Sequence, residues 1–274
     1  MKPNDPWGRR DRPPQPRASR PVEAEATRAP RAEDELRLFG LNACLAAFAA
    51  RPDDVRKVWM LAERMGECRE LLAWCVANRR GYTLVEAEDL AKLAGTQHHE
   101  GLVLAMKRPV EQSLSQFLRD LPAGPMQLLW LDGVGNPHNF GAILRSAAHF
   151  GVAGVLLPKT SPLTLSGAAA RVAEGGAEVV PLVRLGRSDN SAAQLQSVGF
   201  TLLATVVRDG VPLFGLQLPE RCVWVLGAEG EGVDPALVAA CRSRVGIPGS
   251  GRVESLNVSS ATAVVLAEWS RQCS

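Results

Sequence analysis

The chain has 274 residues, 31 Lys/Arg against 29 Asp/Glu, 46% hydrophobic residues and 22% charged ones. That balance describes a globular protein and excludes a fibrous or wholly disordered one. No apolar run approaches the roughly 18 residues that span a bilayer, and no apolar signal core follows the basic start, so neither a membrane protein nor a secreted one is expected.

Residues 1–31 hold eight Lys/Arg, four Asp/Glu and seven of the 19 prolines. So little apolar surface cannot offset the entropy of ordering, and the segment is expected to be a disordered tail. It reads either as a solubilising leader or as a basic arm that tracks phosphates. A compact α/β unit is expected over 32–108. "EDELRLFGLNACLAAFAA" predicts a short strand and a helix ending near Arg51-Pro52, and "VRKVWML" a strand. "MGECRELLAWCVANRR" predicts a helix, "GYTLVEA" a strand, "AEDLAKLAG" a short helix and "EGLVLAMK" a closing strand. Residues 109–124 read as a linker with a helical turn or two, stopped by Pro122 and Gly124.

Over 125–274 strands and helices alternate. Strands are predicted at 127–131, 153–157, 178–183, 200–207, 222–227 and 243–247, and helices at 139–150, 165–175, 190–197, 234–241 and 256–271. Strands apolar on both faces imply a mainly parallel sheet covered by helices. Six cysteines lie scattered without a C-x-x-C pair or a Cys/His cluster. This argues for reduced thiols in a cytoplasmic protein and against any metal site.

In such sheets ligands sit outside the carboxyl ends of the strands. Three loops there are polar and glycine-rich: "DGVGNPHNFGAILRS" (132–146), "LGAEGEGVDP" (226–235) and "IPGSGRVESLNVSSATAVVL" (247–266). Taken singly, each has a plain explanation. Asp234-Pro235 is an ordinary cap, "SLNVSS" can cap the last helix, and Glu229 and Glu231 can be solvated. Three in equivalent positions of one sheet favour a site. The dinucleotide fingerprint fails, since "GVGNPH" lacks a third glycine and "GAEGEG" carries carboxylates where a pyrophosphate needs positive potential. No Walker A loop, nucleophile elbow or metal-ligand spacing is found.

The three stretches resemble the motifs of the SpoU/TrmH branch of the SPOUT methyltransferases, which methylate ribose 2′-hydroxyls in tRNA or rRNA. The first has Asn139 and Arg145 at the family spacing, the second has Glu229, and the third has Ser255 and Asn257. Residues 32–108 resemble the small RNA-binding domain that precedes the catalytic domain in many members. The resemblance implies a trefoil-knotted C-terminal domain, a homodimer, and S-adenosylmethionine against Thr205, Leu226, Gly227, Ile247, Leu256 and Asn257. Gly249 stands where the third motif usually has methionine, removing a side chain beside that pocket.

The resemblance also implies roles. Arg145 would serve the RNA end, as a phosphate clamp and a stabiliser of the developing alkoxide, with Glu229 pairing to it and Asn139 beside them. A guanidinium with a pKa of about 12.5 or higher makes a poor general base. Ser255 and Asn257 would offer polar groups to ribose or cofactor. The rival class is a non-catalytic RNA-binding protein that keeps the knot; intact Asn139, Arg145, Glu229, Ser255 and Asn257 speak against it.

Overall fold

The computed structural model describes residues 34–273; the basic segment 1–31 lies outside them. A four-stranded sheet comes first. Its elements are β1 (Glu35–Phe39), α1 (Leu41–Ala50), β2 (Val55–Met60), α2 (Arg69–Ala77), β3 (Gly81–Leu84), α3 (Ala87–Ala94) and β4 (Leu102–Lys107). The order is β1-β4-β2-β3, with β4 antiparallel to β1 and β2, and β3 parallel to β2. Period-two alternation puts Leu36, Leu38, Val58, Met60, Leu104 and Met106 on one face. There they pack in one cluster with Cys44 and Ala47 of α1 and Leu71 and Cys75 of α2.

The second sheet begins inside the expected linker. β5 (Gln112–Ser113) is its edge strand beside β8 (Leu182–Arg184), and α4 (Leu114–Arg119) buries Leu114 and Phe117 among Met126, Leu128 and Trp130. The segment 112–119 is thus part of the sheet's core. The chain continues through β6 (Met126–Asp132), α5 (Pro137–His149), β7 (Gly154–Leu157), α6 (Gly167–Ala173) and α7 (Gly176–Val179) to β8. Then come α8 (Ser188–Ser197), β9 (Thr201–Thr205), β10 (Val211–Pro212), β11 (Arg221–Gly227), α9 (Pro235–Ala240), β12 (Ser243–Gly246) and α10 (Val258–Cys273). The order is β10-β12-β9-β11-β6-β7-β8-β5, and every pairing is parallel.

Both faces of this sheet are buried, as its sequence requires. Leu129, Leu131 and Trp224 point to a layer holding Phe140 and Ile143 of α5 and Leu266 and Trp269 of α10. Leu128, Trp130 and Val225 point the other way, to Leu195 of α8 and Leu237 of α9. One expected strand differs. Of 178–183 only the end is strand, because Gly176–Val179 turns as α7 and Pro181 separates the two pieces.

The two sheets share one apolar cluster. α6 runs along the edge strand β1, protecting it from pairing elsewhere. The approach is so close that a Cβ at Gly167 would strike the Arg37 carbonyl and the Phe39 ring. Arg184 anchors the loop that follows β7: its guanidinium donates to the carbonyls of Pro158, Ser161 and Leu163 and is held by both oxygens of Glu111. Arg108 donates to Leu165 O at 2.7 Å, tying the end of that loop to the first sheet.

Candidate active site

The order of the large sheet reverses between β6 and β11. From β6 the chain builds outward through β7 and β8, then returns to the far side for β9, and β11 enters between β9 and β6. Such a reversal opens a crevice at the carboxyl ends of the two central strands. Asp132 and Gly227 are register partners there. Asp132 Oδ2 accepts from Asp234 N at 2.8 Å, joining the loop after β6 to the loop after β11. Sequence reasoning missed this tie, although an aspartate closing a predicted strand ahead of a glycine loop was visible.

Three of the five candidate catalytic residues meet at this crevice. α5 opens at Pro137, two residues earlier than expected, because Asn136 caps it by accepting from His138 N at 2.8 Å. Asn139 therefore lies in the first turn, its side chain at the mouth. Asn139 Nδ2 donates to Glu229 Oε1 at 3.0 Å, and Asn257 Nδ2 donates to the same oxygen at 2.8 Å and to Asn139 Oδ1 at 3.0 Å. The three motifs thus close a hydrogen-bonded triangle around one carboxylate. Asn257 also accepts from Ser259 N and Oγ through Oδ1. The capping role and the site role belong to opposite ends of one amide.

Glu229 sits at the tip of a tight loop. Ala228 and Gly232 exchange both main-chain hydrogen bonds, and Gly230 and Gly232 have φ of 89° and 76°. At Gly227 a Cβ would collide with the Gly232–Val233 backbone, so only glycine lets this loop fold back on its strand. Beside it opens a cleft of about 530 Å³ between the ends of β9, β11 and β12. Thr205, Leu226, Gly227, Ile247 and Leu256, five of the six expected cofactor contacts, line it. Ser255 and Glu229 line it too; Asn257 stands beside it in the triangle. The Thr205 hydroxyl is already committed to Val225 O at 3.0 Å, so that residue offers the cleft its main chain and methyl. Arg208 and Glu254 form an ion pair of 2.9 Å on the rim. Gly249 is exposed, with open space where a Cβ would stand.

The lining fits S-adenosylmethionine. Leu226, Ile247 and Val258 give an apolar wall for a flat base, and Glu229 supplies the negative charge that a sulfonium needs.

Arg145 stands apart from this cluster. It is exposed on α5, just off the apolar face of Ile143, Leu144 and Ala147, and makes no hydrogen bond or ion pair among the described residues. The expected pairing with Glu229 is therefore not formed; the two asparagines satisfy that carboxylate instead. Among the described residues no group of three His, Cys, Asp or Glu could hold a metal ion, and no helix is long and apolar enough to cross a membrane. All six cysteines are free. Burial raises their thiol pKa values, that of Cys241 to about 11, so none is poised as a thiolate nucleophile.

The aromatic residues of the first sheet sort clearly. Trp74 packs edge-on against Phe48 at 5.7 Å, a core contact. Trp59 is half-buried, with the Lys57 ammonium 4.9 Å and the Arg37 guanidinium 5.9 Å from its ring centre. Those cations flank Ala105 in the register of β1, β4 and β2, making a basic shelf with an aromatic edge.

A reversed parallel sheet, a glycine-looped carboxylate and two asparagines from separate motifs together make a polar crevice beside an open cleft, the place where a sheet of this kind binds its ligand. Residues 126–267 match the SpoU rRNA methylase family, and residues 37–112 match the RNA 2′-O ribose methyltransferase substrate-binding domain. The chain belongs to the SpoU family, whose members are S-adenosylmethionine-dependent RNA ribose methyltransferases. It is 39% identical over 251 residues to the uncharacterized tRNA/rRNA methyltransferase YfiF of Escherichia coli O157:H7, covering 92% of this chain and 72% of the relative. It is 32% identical to the 23S rRNA (guanosine-2′-O-)-methyltransferase RlmB of Nitrosomonas europaea, covering 86% of this chain and 91% of that one. The fold is shared with the SpoU methyltransferase AviRb of Streptomyces viridochromogenes, solved in complex with AdoMet. There the TM-score is 0.73 at 22% identity, covering 88% of this chain and 91% of that one.

Proposed function

We propose that this chain methylates a ribose 2′-hydroxyl of ribosomal RNA with the site built by Asn139, Arg145, Glu229, Ser255 and Asn257. The observation that carries the reading is the triangle of Asn139, Glu229 and Asn257 at the mouth of the cleft, one residue from each motif. Ribosomal RNA is chosen over tRNA because relatives named for 23S rRNA guanosine 2′-O-methylation are 32–34% identical across 86% of the chain.

S-adenosylmethionine, when bound, supplies an already activated methyl sulfonium. The protein's work is therefore alignment, a contribution worth roughly 7–11 kcal/mol of barrier. Glu229, fixed by two amides, would offer its carboxylate to the cofactor's positive charge. Ser255 and Asn257 hold the ribose or cofactor edge at the start of α10. Arg145 would bind the RNA phosphate and, remaining protonated, stabilise the negative charge that develops on the 2′-oxygen while the hydroxyl proton passes to solvent water, the cofactor's thioether being the leaving group.

The entry of β11 between β6 and β9 supports a trefoil knot in the catalytic domain. Exposed Val207, Val211, Phe214 and Val253, on the segments that follow β9 and β12, support a homodimer that covers them. The shelf of Arg37, Lys57 and Trp59 supports a division of labour in which residues 32–108 select the RNA. Six unpaired thiols support a cytoplasmic protein.

The test combines calorimetry with S-adenosylmethionine against ATP and NAD, and mapping of 2′-O-methyl sites in RNA from cells with and without the gene. Binding of S-adenosylmethionine alone, with one ribose methylation lost on deletion, is expected. A protein that binds RNA but not this cofactor, with an unchanged methylation map, is a non-catalytic RNA-binding member instead.

A further inference from the structure

Between α6 and β8, residues 174–178 lie pinned between two helices. On one side is α1 of the first sheet. Asn42 Nδ2 donates to Glu174 Oε2 at 2.7 Å, and a Cβ at Gly175 would stand 2.9 Å from that of Ala46. Asn42 and Ala46 are four residues apart, on one face of α1. Arg51, its C-cap, completes the grip. Nε and Nη2 donate to the two oxygens of Glu178 at 2.6 and 3.1 Å, and Nη1 donates to Asp54 Oδ2 at 3.0 Å and Lys107 O at 2.8 Å. The Arg51 and Glu178 side chains are only 17% and 8% exposed, so this bidentate pair is largely desolvated and fixed in direction.

On the other side is α5, at one place. A Cβ at Gly176 would stand 2.8 Å from Leu144 O and 3.1 Å from Arg145 Cα. The short helix α7 is therefore a wedge, one face held by the substrate-binding half of the chain, the other against the main chain at Arg145. Among the described residues the Arg145 side chain has no partner to hold it, so its direction depends on that main chain.

We propose that Arg51 and Glu178 are positioning residues for methyl transfer, setting Arg145 through the wedge at Gly176. The inference rests on the functional reading above, in which Arg145 serves the RNA end. It makes the first sheet more than an RNA-docking module. Its seating on α7 aligns a catalytic group in the other half, and losing the pair misplaces Arg145 without removing it. Displacement of a catalytic group by about 1 Å costs on the order of 100-fold in rate.

The experiment is a double-mutant cycle on the full-length protein, with single-turnover methyl transfer to the mapped RNA, RNA KM and S-adenosylmethionine affinity as readouts. Glu178→Ala is expected to lower the transfer rate roughly 10- to 100-fold, leaving KM and cofactor affinity within about twofold. In an Arg145→Ala background the same change should cost almost nothing, because both act on one group. Gly176→Ala, which pushes the wedge from its other face, should reproduce the rate loss. Glu178→Gln replaces Glu178→Ala if thermal unfolding shows that the latter fails to fold. A rise in RNA KM alone would make the pair a docking contact, and rate losses that multiply across the cycle would make it structural; either overturns the inference. A wild-type protein that methylates no RNA would overturn the functional reading itself.

Discussion

Asn257 divides its amide between Glu229 and helix α10: Nδ2 donates to Glu229 Oε1 at 2.8 Å, while Oδ1 accepts from Ser259 N at 2.9 Å. The two ends can be separated. Asn257→Asp keeps the cap, and a carboxylate suits a helix N-terminus. It also sets a second negative charge against Glu229 where a donor stood. The thermal midpoint should stay near that of the wild type while methyl transfer falls at least about tenfold. Asn257→Ala should lose the activity and about 1 kcal/mol of stability. Full activity in the Asp variant would reduce Asn257 to a cap.

The resemblance leads to an expectation of methionine at position 249, and a Cβ at Gly249 would meet no atom of the described residues within 4 Å. Gly249→Met should add apolar contact beside the cleft without a clash. A few-fold tighter Kd for S-adenosylmethionine is expected by calorimetry, on the scale of one partly buried side chain. Weaker binding would mean the third loop closes over this position when the cofactor binds.

Arg37 and Lys57 are expected to contact phosphates on either side of a base that meets Trp59. Changing both cations to alanine should lower the slope of log affinity against log salt by roughly 1.4–1.8, about 0.7–0.9 for each lost contact. Cofactor affinity should not change. An unaltered slope in filter-binding measurements would place the RNA elsewhere on the first sheet.

Deleting residues 1–31, with their eight Lys/Arg, should weaken RNA binding at low salt and leave the methylated position unchanged. If affinity and salt slope are those of the full chain, the segment is a solubilising leader.

How much was legible differs between fold and site for physical reasons. The strand and helix signals in the large sheet are strong, because strands such as "QLLWLD" are continuous apolar runs buried on both faces and helices such as α5 are apolar on one. The strand expected at 178–183 misled because Val179 and Val180 look like strand, while Gly175, at φ 91°, and the Glu178–Arg51 pair impose a turn that no local pattern records. Leu114 and Phe117 gave no linker-breaking signal of their own; their burial comes from the distant Met126, Leu128 and Trp130, and for Phe117 also from the space left at Gly154. At the site, each motif could be located, but not the partner of each polar group. Glu229 was expected on Arg145 by charge, and geometry gives it to two neutral amides instead. Arg51, Arg184 and Asp132 act across 127, 73 and 102 residues of sequence, distances over which a single chain carries no pairing signal.

The most direct measurement is single-turnover methyl transfer by Arg145→Ala, with S-adenosylmethionine affinity measured on the same preparation. The cleft is built from the end of β9 and the second and third loops, and Arg145 stands outside the triangle with no bond to any of them. Folding and cofactor affinity should therefore match the wild type, while transfer to RNA falls by at least about 100-fold, the scale for removing one preorganised charge-stabilising donor. Arg145→Lys should restore little, since an ammonium cannot reproduce bidentate phosphate geometry. Near-normal turnover in the alanine variant would contradict the account and move the chemistry to Glu229 or Ser255, and loss of cofactor binding would put the arginine on the wrong substrate.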